Sequence, residues 1–393
     1  MTDTASRFEI VSDEAGFRAL QSDWNALWLR AHGFYHQSFS FCWLSWQEVA
    51  KPQGRQLRCI VSRDADGRLA MVWPLISYKR LLWTYIVPLS PVGYDYSSVL
   101  VEDGPAAPAL IDGAWDAARQ RCGADFVHMP CMKEDGDLYR LVSKETRVVF
   151  SESNTWVVAR LRDETSWEQY CSTLGTLFGK KPGAAERRFA KEGRLAVRMV
   201  DASARDEAAS VIDWMLECKR GWGERVGKQG EWLNSASFRN FLVHLVSSTD
   251  VPPVGRLIVV SLNEAPVAAA ILGVGDLCAS AIISGFDARY GKFCVGSIAW
   301  EHAVKWSFEQ RYDLDFGVGG ERFKAFWGRG NIATAWTIQT VNSEWGMLAV
   351  RGKRLARELI GRIRRRGRGL PIAAPAGEAI GGEPEPAQRD GAA

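Results

Sequence analysis

One short run of the sequence brings acids, glycines and a lysine close enough together to share a reaction: Asp313-Leu314-Asp315-Phe316-Gly317, followed by Glu321 and Lys324. On a strand, Leu314, Phe316 and Val318 take one face and leave Asp313 and Asp315 on the other. An acid at the end of such a strand, beside a cleft, is a candidate general base. Burial raises its pKa toward the pH at which it must accept a proton. The same carboxylate can equally cap the loop through Gly317. Glu321 and Lys324 read either as a surface ion pair or as an acid and a cation facing a substrate phosphate or carboxylate. Asp95, between Tyr94 and Tyr96 and close after Gly93, is a further candidate from the first half; a turn aspartate explains it as well.

A second constellation lies just upstream. The apolar run 279–286 breaks at Tyr290-Gly291 and again at Val295-Gly296-Ser297, before an apolar-rich segment leads to Asp313. This reads as strand, glycine-bordered turn, helix. The first turn of a helix has unpaired N–H groups and the positive end of the dipole, so it suits the pyrophosphate of a coenzyme. Gly291 and Gly296 allow close backbone approach, Arg289 and Lys292 add charge, and Ser297 stands at the helix start. A tight turn that merely needs glycine accounts for the same residues. Lys180, Lys181, Arg187, Arg188 and Lys191 form a basic run, either an anion contact or a solvated helix face. Glu301, Lys305 and Glu309 recur at i,i+4 and read as a solvated face, with His302 also outside. Trp222 and Trp327 are candidates for stacking on a ligand or for the core.

The elements that must position these residues can be read along the chain. Asp13 is a candidate N-cap for a helix whose Phe17, Leu20, Trp24, Leu27 and Trp28 form one apolar face. A second aromatic helix is expected over 40–49, and a hairpin over 56–62 and 69–78 around Arg63-Asp64-Ala65-Asp66-Gly67. Strands at 81–87 and 97–101, a helix over 107–122 and a strand over 125–129 complete the half. The second half repeats the order: strand 156–161, a helix 167–177 capped by Thr165, a basic helix 184–192, strand 195–200 and helices 207–220 and 237–247. A hairpin over 256–262 and 267–274, strand 279–286, the helix from Ser297 and strand 313–318 follow. Each half closes on an Asp-Phe pair, Asp125-Phe126 and Asp315-Phe316. The shared order predicts a duplicated α/β unit, 1–150 and 151–345, then a basic amphipathic helix over 346–370 and a disordered tail over 371–393.

Composition is that of a globular protein, with 47% apolar and 24% charged residues. The net charge of +3 is unevenly spread, with nine Lys/Arg against one Glu over 351–368. The body before it is slightly acidic, which excludes electrostatic nucleic-acid binding on the scale of the whole domain. The basic helix, with Leu348, Leu355, Leu359 and Ile363 at helical spacing, can lie on an anionic membrane, bind RNA, or dock with a solvated end. The eight cysteines lack a C-x-x-C and the five histidines lack a metal motif, so free thiols and no metal are expected. The N-terminus lacks signal-peptide features and no apolar run has the length of a membrane span. A cytoplasmic location is therefore expected, with peripheral contact to the inner face of a membrane as an option.

Several motifs, in order, resemble one family. They are Arg187-Arg188-Phe189-Ala190-Lys191-Glu192-Gly193, Cys218-Lys219-Arg220-Gly221-Trp222, 263–270, Phe286-Asp287-Ala288-Arg289-Tyr290 through Gly296, 313–317 and Glu321-Arg322-Phe323-Lys324. In the first half, 17–27, 43–46, Trp73-Pro74-Leu75 and Gly93-Tyr94-Asp95-Tyr96 fit as well. Together, over roughly 8–345, they resemble the CelD-type acyltransferases associated with cellulose and exopolysaccharide biosynthesis. That family lies in the GNAT superfamily and is related to Fem-type aminoacyltransferases. The resemblance implies an α/β fold, a tandem pair of GNAT-like acyl-CoA N-acyltransferase units with mixed sheets flanked by helices. It implies acetyl-CoA or another acyl-CoA as donor, bound through its phosphates at 291–297, where only Gly296 falls cleanly in the superfamily's glycine pattern. Backbone groups of Ser284 and Gly285 then face the oxyanion, and an amine or hydroxyl of a sugar or polysaccharide precursor is the acceptor. Two alternatives stay open. One is a non-catalytic scaffold of a membrane polysaccharide synthase; the other is a Fem-like transferase with aminoacyl-tRNA as donor, the one route by which nucleic acid enters.

Overall fold

The computed structural model describes residues 8–92, 96–227, 230–249, 253–352 and 355. Asp95 and the expected tail thus lie outside the described residues, as does most of the expected basic helix. In the first half the elements are β1 (Phe8–Val11), α1 (Glu14–Ala19), α2 (Gln21–Arg30), α3 (Phe39–Leu44), β2 (Gln56–Leu57), β3 (Cys59–Arg63), β4 (Leu69–Trp73) and β5 (Leu75–Arg80). They continue with β6 (Trp83–Pro88), β7 (Leu100–Val101), α4 (Ala107–Arg121), β8 (Phe126–Lys133) and α5 (Asp137–Val142). The second half begins with β9 (Val148–Ala159), α6 (Trp167–Thr173), α7 (Ala184–Phe189), β10 (Leu195–Met199), α8 (Arg205–Val226) and α9 (Ala236–Val246). It ends with β11 (Gly255–Leu262), β12 (Ala265–Val274), β13 (Cys278–Phe286), α10 (Val295–Glu309), β14 (Asp313–Val318), α11 (Arg322–Trp327) and β15 (Ile332–Val341).

Local chemistry explains most of these bounds. The Asp13 carboxylate accepts the Gly16 N–H at 2.8 Å and caps α1. The expected single helix is broken at Leu20, whose N–H tightens onto Phe17 O, yet the whole apolar stripe is buried. Ser166, rather than Thr165, caps α6, and the helix stops at Thr173 because Leu174 is extended. The strand expected over 97–101 shrinks to two residues, since Ser97 is tied through its N–H and its hydroxyl to Pro130 O. Three elements were not anticipated: the short α5, α11, expected as loop, and the ten-residue β15.

Eleven strands form one sheet in the order β10-β11-β12-β13-β14-β9-β15-β8-β6-β5-β2, and β1-β3-β4-β7 form a second. The hairpin 56–80 joins the two, bending where Pro74, without an N–H, interrupts the ladder between β4 and β5. A strand–helix–parallel-strand crossover occurs twice, as β6-α4-β8 and as β13-α10-β14. β9 runs unbroken across residue 150, and β15 pairs with both β9 and the first-half strand β8. The halves therefore share a sheet. They also share a core: α1–α3 pack with α8 and α9 over one face, and the Phe41 and Phe241 rings meet edge-on at 5.3 Å. α7 and α10 cover the other face. No helix among the described residues is long and apolar enough to cross a membrane.

The feature that matters most is a splay. β13 and β14 pair in parallel only at Cys278↔Asp313, Ala279↔Leu314 and Ser280↔Asp315. Beyond Ser280, β13 continues along β12 alone, and the register slips so that Ile282 bulges from the ladder.

Candidate active site

A cavity of about 860 Å³ opens at this splay. The β13 residues 280–286 and 316–318 at the end of β14 form its waist. On one side of the sheet it is walled by Gly296 and Trp300 of α10 and by Phe323, on the other by Tyr35, Phe41, Trp222, Phe238 and Phe241. Trp300, Phe316 and Phe323 belong to one face's core and Tyr35, Phe41, Phe238 and Phe241 to the other's. The cavity thus passes through the sheet from one face to the other.

The α10 end is suited to an anion. Cys294, in left-handed conformation at φ 60°, delivers the chain into α10, and no side chain caps the helix. Gly296 lines the cavity, and the buried Ser297 Oγ has no hydrogen-bond partner. Lys180 brings its Nζ to 3.2 Å from Cys294 Sγ, and Arg188 lies over the Phe293 ring at 5.3 Å. Part of the basic run is therefore gathered at the helix start. A phosphate fits the uncapped N–H groups, the free hydroxyl and these cations. Arg289 is already engaged, holding Asp287 at 2.6 Å while its side chain is exposed, and Lys292 lies over the Phe293 ring at 4.9 Å. Gly291 sits in a 3-10 turn where a Cβ would meet open space, so packing does not require glycine there. Glu301 and His302 depart from the solvated face expected of them. His302 Nε2 meets Glu186 Oε2 of α7 at 2.9 Å, and burial pushes the Glu301 carboxyl up; Lys305 and Glu309 remain exposed.

Asp315 is 1% exposed and lies beneath the cavity, behind Tyr96. Its Oδ1 accepts from Trp156 Nε1 at 2.7 Å, Gly317 N–H at 2.7 Å and Tyr96 OH at 3.0 Å, while Oδ2 has no partner. Burial raises its pKa, and the charge of Lys133 followed by these hydrogen bonds works against the rise. The capping role through Gly317 and the buried-acid role thus coexist. Asp313 is structural: it accepts Leu161 N–H at 2.8 Å and pairs with Arg160 at 3.1 Å. Leu314 and Phe316 do share the opposite face, but the register slip after Asp315 carries Val318 to the Tyr96 side.

Around Asp315 stand residues that sequence reasoning passed over. Tyr96 was noted only as a neighbour of Asp95, yet its hydroxyl bridges the cavity wall and the buried acid; burial and the Asp315 charge hold its pKa well above the usual phenol range. Lys133, at the end of β8, is enclosed by the rings of Phe34 at 3.9 Å, Trp156 at 4.1 Å and Tyr96 at 5.5 Å. Burial lowers its pKa, with Asp315 pulling it back up. His36 is pushed down to about 3 by burial and by Lys133, so it is neutral. Ser280, ladder neighbour of Asp315, lines the cavity with a buried and unpartnered hydroxyl. The only signal for Lys133 was its place in an apolar strand.

Lys324 is buried rather than part of a surface pair. Its Nζ donates to Val318 O at 2.7 Å and pairs with Glu321 at 2.8 Å. Gly319, at φ 122°, makes this possible, because a Cβ there would lie 2.4 Å from the Glu321 carboxylate. Both side chains line the cavity and fix its glycine loop. Ser284 and Gly285 line it too, and a Cβ at Gly285 would strike Met215 O of α8 at 2.6 Å. Trp222 lines the cavity, with Lys219 Nζ 4.2 Å above its ring, whereas Trp327 is core, stacked on Trp167.

Residues 181–325 match an acetyltransferase (GNAT) domain. That match, which spans the splay, the α10 turn and the glycine loop, supports an acyltransferase. No curated protein sequence matches the chain significantly. Among solved structures, FemX is similar at 12% identity and a TM-score of 0.52, over 78% of this chain and 93% of its own. A conserved protein of unknown function from Bacteroides thetaiotaomicron is similar at 12% identity and a TM-score of 0.50, over 85% of this chain and all of its own, 100%. A tandem GNAT protein from the clavulanic acid pathway superposes at 10% identity and a TM-score of 0.45, over 86% and 99%. For FemX and the Bacteroides protein, at such identities, the likeness is one of fold. The fold is α/β and GNAT-like, with a large mixed sheet flanked by helices.

Proposed function

We propose that the protein transfers an acyl group from acyl-CoA to an amine or hydroxyl, with the donor's phosphates at the start of α10 and its thioester at the splay. One observation carries this reading: a single cavity crosses the sheet between β13 and β14, with an uncapped helix N-terminus at one end and the Tyr96–Asp315 pair at the other. In this reading the acceptor enters from the first-half side. Tyr96 accepts its proton while passing its own to Asp315, whose raised pKa suits it as a base. The new C–N or C–O bond forms as the C–S bond breaks, and the thiolate leaves to take up a proton. Backbone N–H groups at the bulge and at Ser284 and Gly285 are the donors nearest the splay for the carbonyl oxygen as it gains charge.

The resemblance of the ordered motifs to CelD-type proteins supports a sugar or polysaccharide precursor as acceptor. The aromatic far wall of the cavity, with Trp222 and Phe241, also leaves room for an acyl group longer than acetyl. Titration calorimetry with acyl-CoA is the direct test. Gly296→Glu sets bulk and negative charge at the helix start, and binding should drop below detection while the fold is kept. Equal binding by wild type and G296E, or no binding by wild type at millimolar donor, removes the proposal.

A further inference from the structure

A second surface, at the end of the sheet where β5 turns into β6, has no part in this chemistry. Arg80 pairs with Trp83, so Leu81 and Leu82 alone make the turn. They are 83% and 69% exposed. Leu81 takes φ 57°, a left-handed conformation that a two-residue hairpin turn ordinarily gives to glycine at its first central position. A strained backbone that holds two leucines in water contradicts both turn chemistry and burial, and neither is explained by folding. Lys79 and Arg80, immediately before them, are exposed as well.

A helix that starts at Glu344 and is described as far as Gly352 meets this tip. Trp345 stacks on Trp83 at 6.1 Å and donates its Nε1–H to Leu82 O, while Trp83 donates back to Trp345 O. The helix start is fixed beneath, with the Asn342 N–H bonded to Asp125 O at 2.7 Å and Gly346 so close to Asp125 that a Cβ would sit 2.9 Å from its carbonyl oxygen. Trp345, at 49%, and Leu348, one turn on at 54%, extend the exposed apolar surface. Arg351 follows, and the sequence from there to Arg368 carries nine basic residues against one acid. Glu344 is held by Arg147 at 2.8 Å.

We infer that the Leu81-Leu82 tip and the Trp83–Trp345 pair insert into the interface of an anionic lipid bilayer, with Lys79, Arg80 and Arg351 on the headgroups. Apolar side chains at a rigid tip, two tryptophans with polar edges behind them and a collar of cations match the layers of such an interface in order. A protein partner of matching apolar surface is the competing occupant, but it gives no reason for the basic excess that begins at the same place. The inference does not depend on the acyltransferase reading.

The test is co-sedimentation of the full chain with phosphatidylcholine vesicles, with or without a quarter of phosphatidylglycerol. Binding is expected to the anionic vesicles and to weaken with salt. Leu81→Gly with Leu82→Ser supplies the residues this turn prefers, so its melting temperature should hold or rise while lipid affinity falls about tenfold or more. Leu348→Asn, on the helix, should weaken binding independently. Wild type that ignores anionic vesicles overturns the inference, and so does a folded L81G/L82S variant that binds them undiminished. Self-association through the tip in place of lipid binding also overturns it.

Discussion

Lys133→Met isolates the electrostatics of the buried acid. The ammonium is walled by three aromatic rings, the nearest at 3.9 and 4.1 Å, and methionine fills such a cage with nearly the same volume and a favourable sulfur–ring contact. The fold should therefore persist. What changes is the charge opposing the effect of burial on Asp315, the largest of the influences that lower its pKa. Losing an opposite charge at close range raises a carboxyl by about 1 to 3 units, or roughly 1.4 kcal/mol per unit. Trp156 Nε1–H, bonded to Asp315 Oδ1 at 2.7 Å, is a built-in reporter. In spectra of indole-¹⁵N-labelled protein, one resonance should titrate with Asp315, vanish in Trp156→Phe, and move its midpoint upward by about a unit or more in K133M. The stability consequence has a definite sign. A carboxyl whose folded pKa is raised stabilises the fold fully below its unfolded pKa, and that contribution is lost as pH rises through the folded value. K133M should extend this loss to higher pH. An Asp315 midpoint at or below the ordinary aspartate value, or one unmoved by K133M, refutes the reasoning.

Two further outcomes follow from the cavity. Tyr96→Phe removes the hydroxyl that links the cavity to Asp315 and should lower the transfer rate about 10²- to 10⁴-fold, with donor affinity in calorimetry unchanged; a rate within twofold of wild type excludes the relay. If the aromatic end holds the acyl chain, donor affinity should climb from acetyl-CoA through longer acyl-CoAs by about 0.8 kcal/mol, or roughly fourfold, per buried methylene. A flat series in titration calorimetry assigns that end to the acceptor instead.

The order of elements was legible because it rests on local rules. Asp13 ahead of an apolar stripe and Asp64 and Gly67 between two apolar runs each act within a few residues of themselves. β15 was not legible. Its Ile332–Val341 run is half exposed at one end and gains its identity only by lying between β9 and β8, strands from around 150 and 130. The break of the first helix at Leu20 and the register slip after Asp315 are likewise tertiary choices that propensity does not record.

The site divides along the same line. Asp315 and the α10 turn are marked by their own neighbours, so sequence reasoning reached them. It could not reach what makes Asp315 unusual. The hydroxyl and the indole that share its Oδ1 come from 219 and 159 residues away, and the opposing ammonium stands on a strand expected to end four residues earlier. Trp156 and Lys133, taken alone, are unremarked members of apolar stretches, and Tyr96 stands out only as a neighbour of Asp95. They meet because β15 and β9 bring β8 and β14 into one sheet, leaving β9 alone to carry Trp156 between the two halves. The burial of this acid, with Oδ1 engaged and Oδ2 without a partner, draws on Tyr96 of the first half and on Trp156 of the strand that crosses residue 150. Under the proposed reaction the first half thus buries the base that the second half carries.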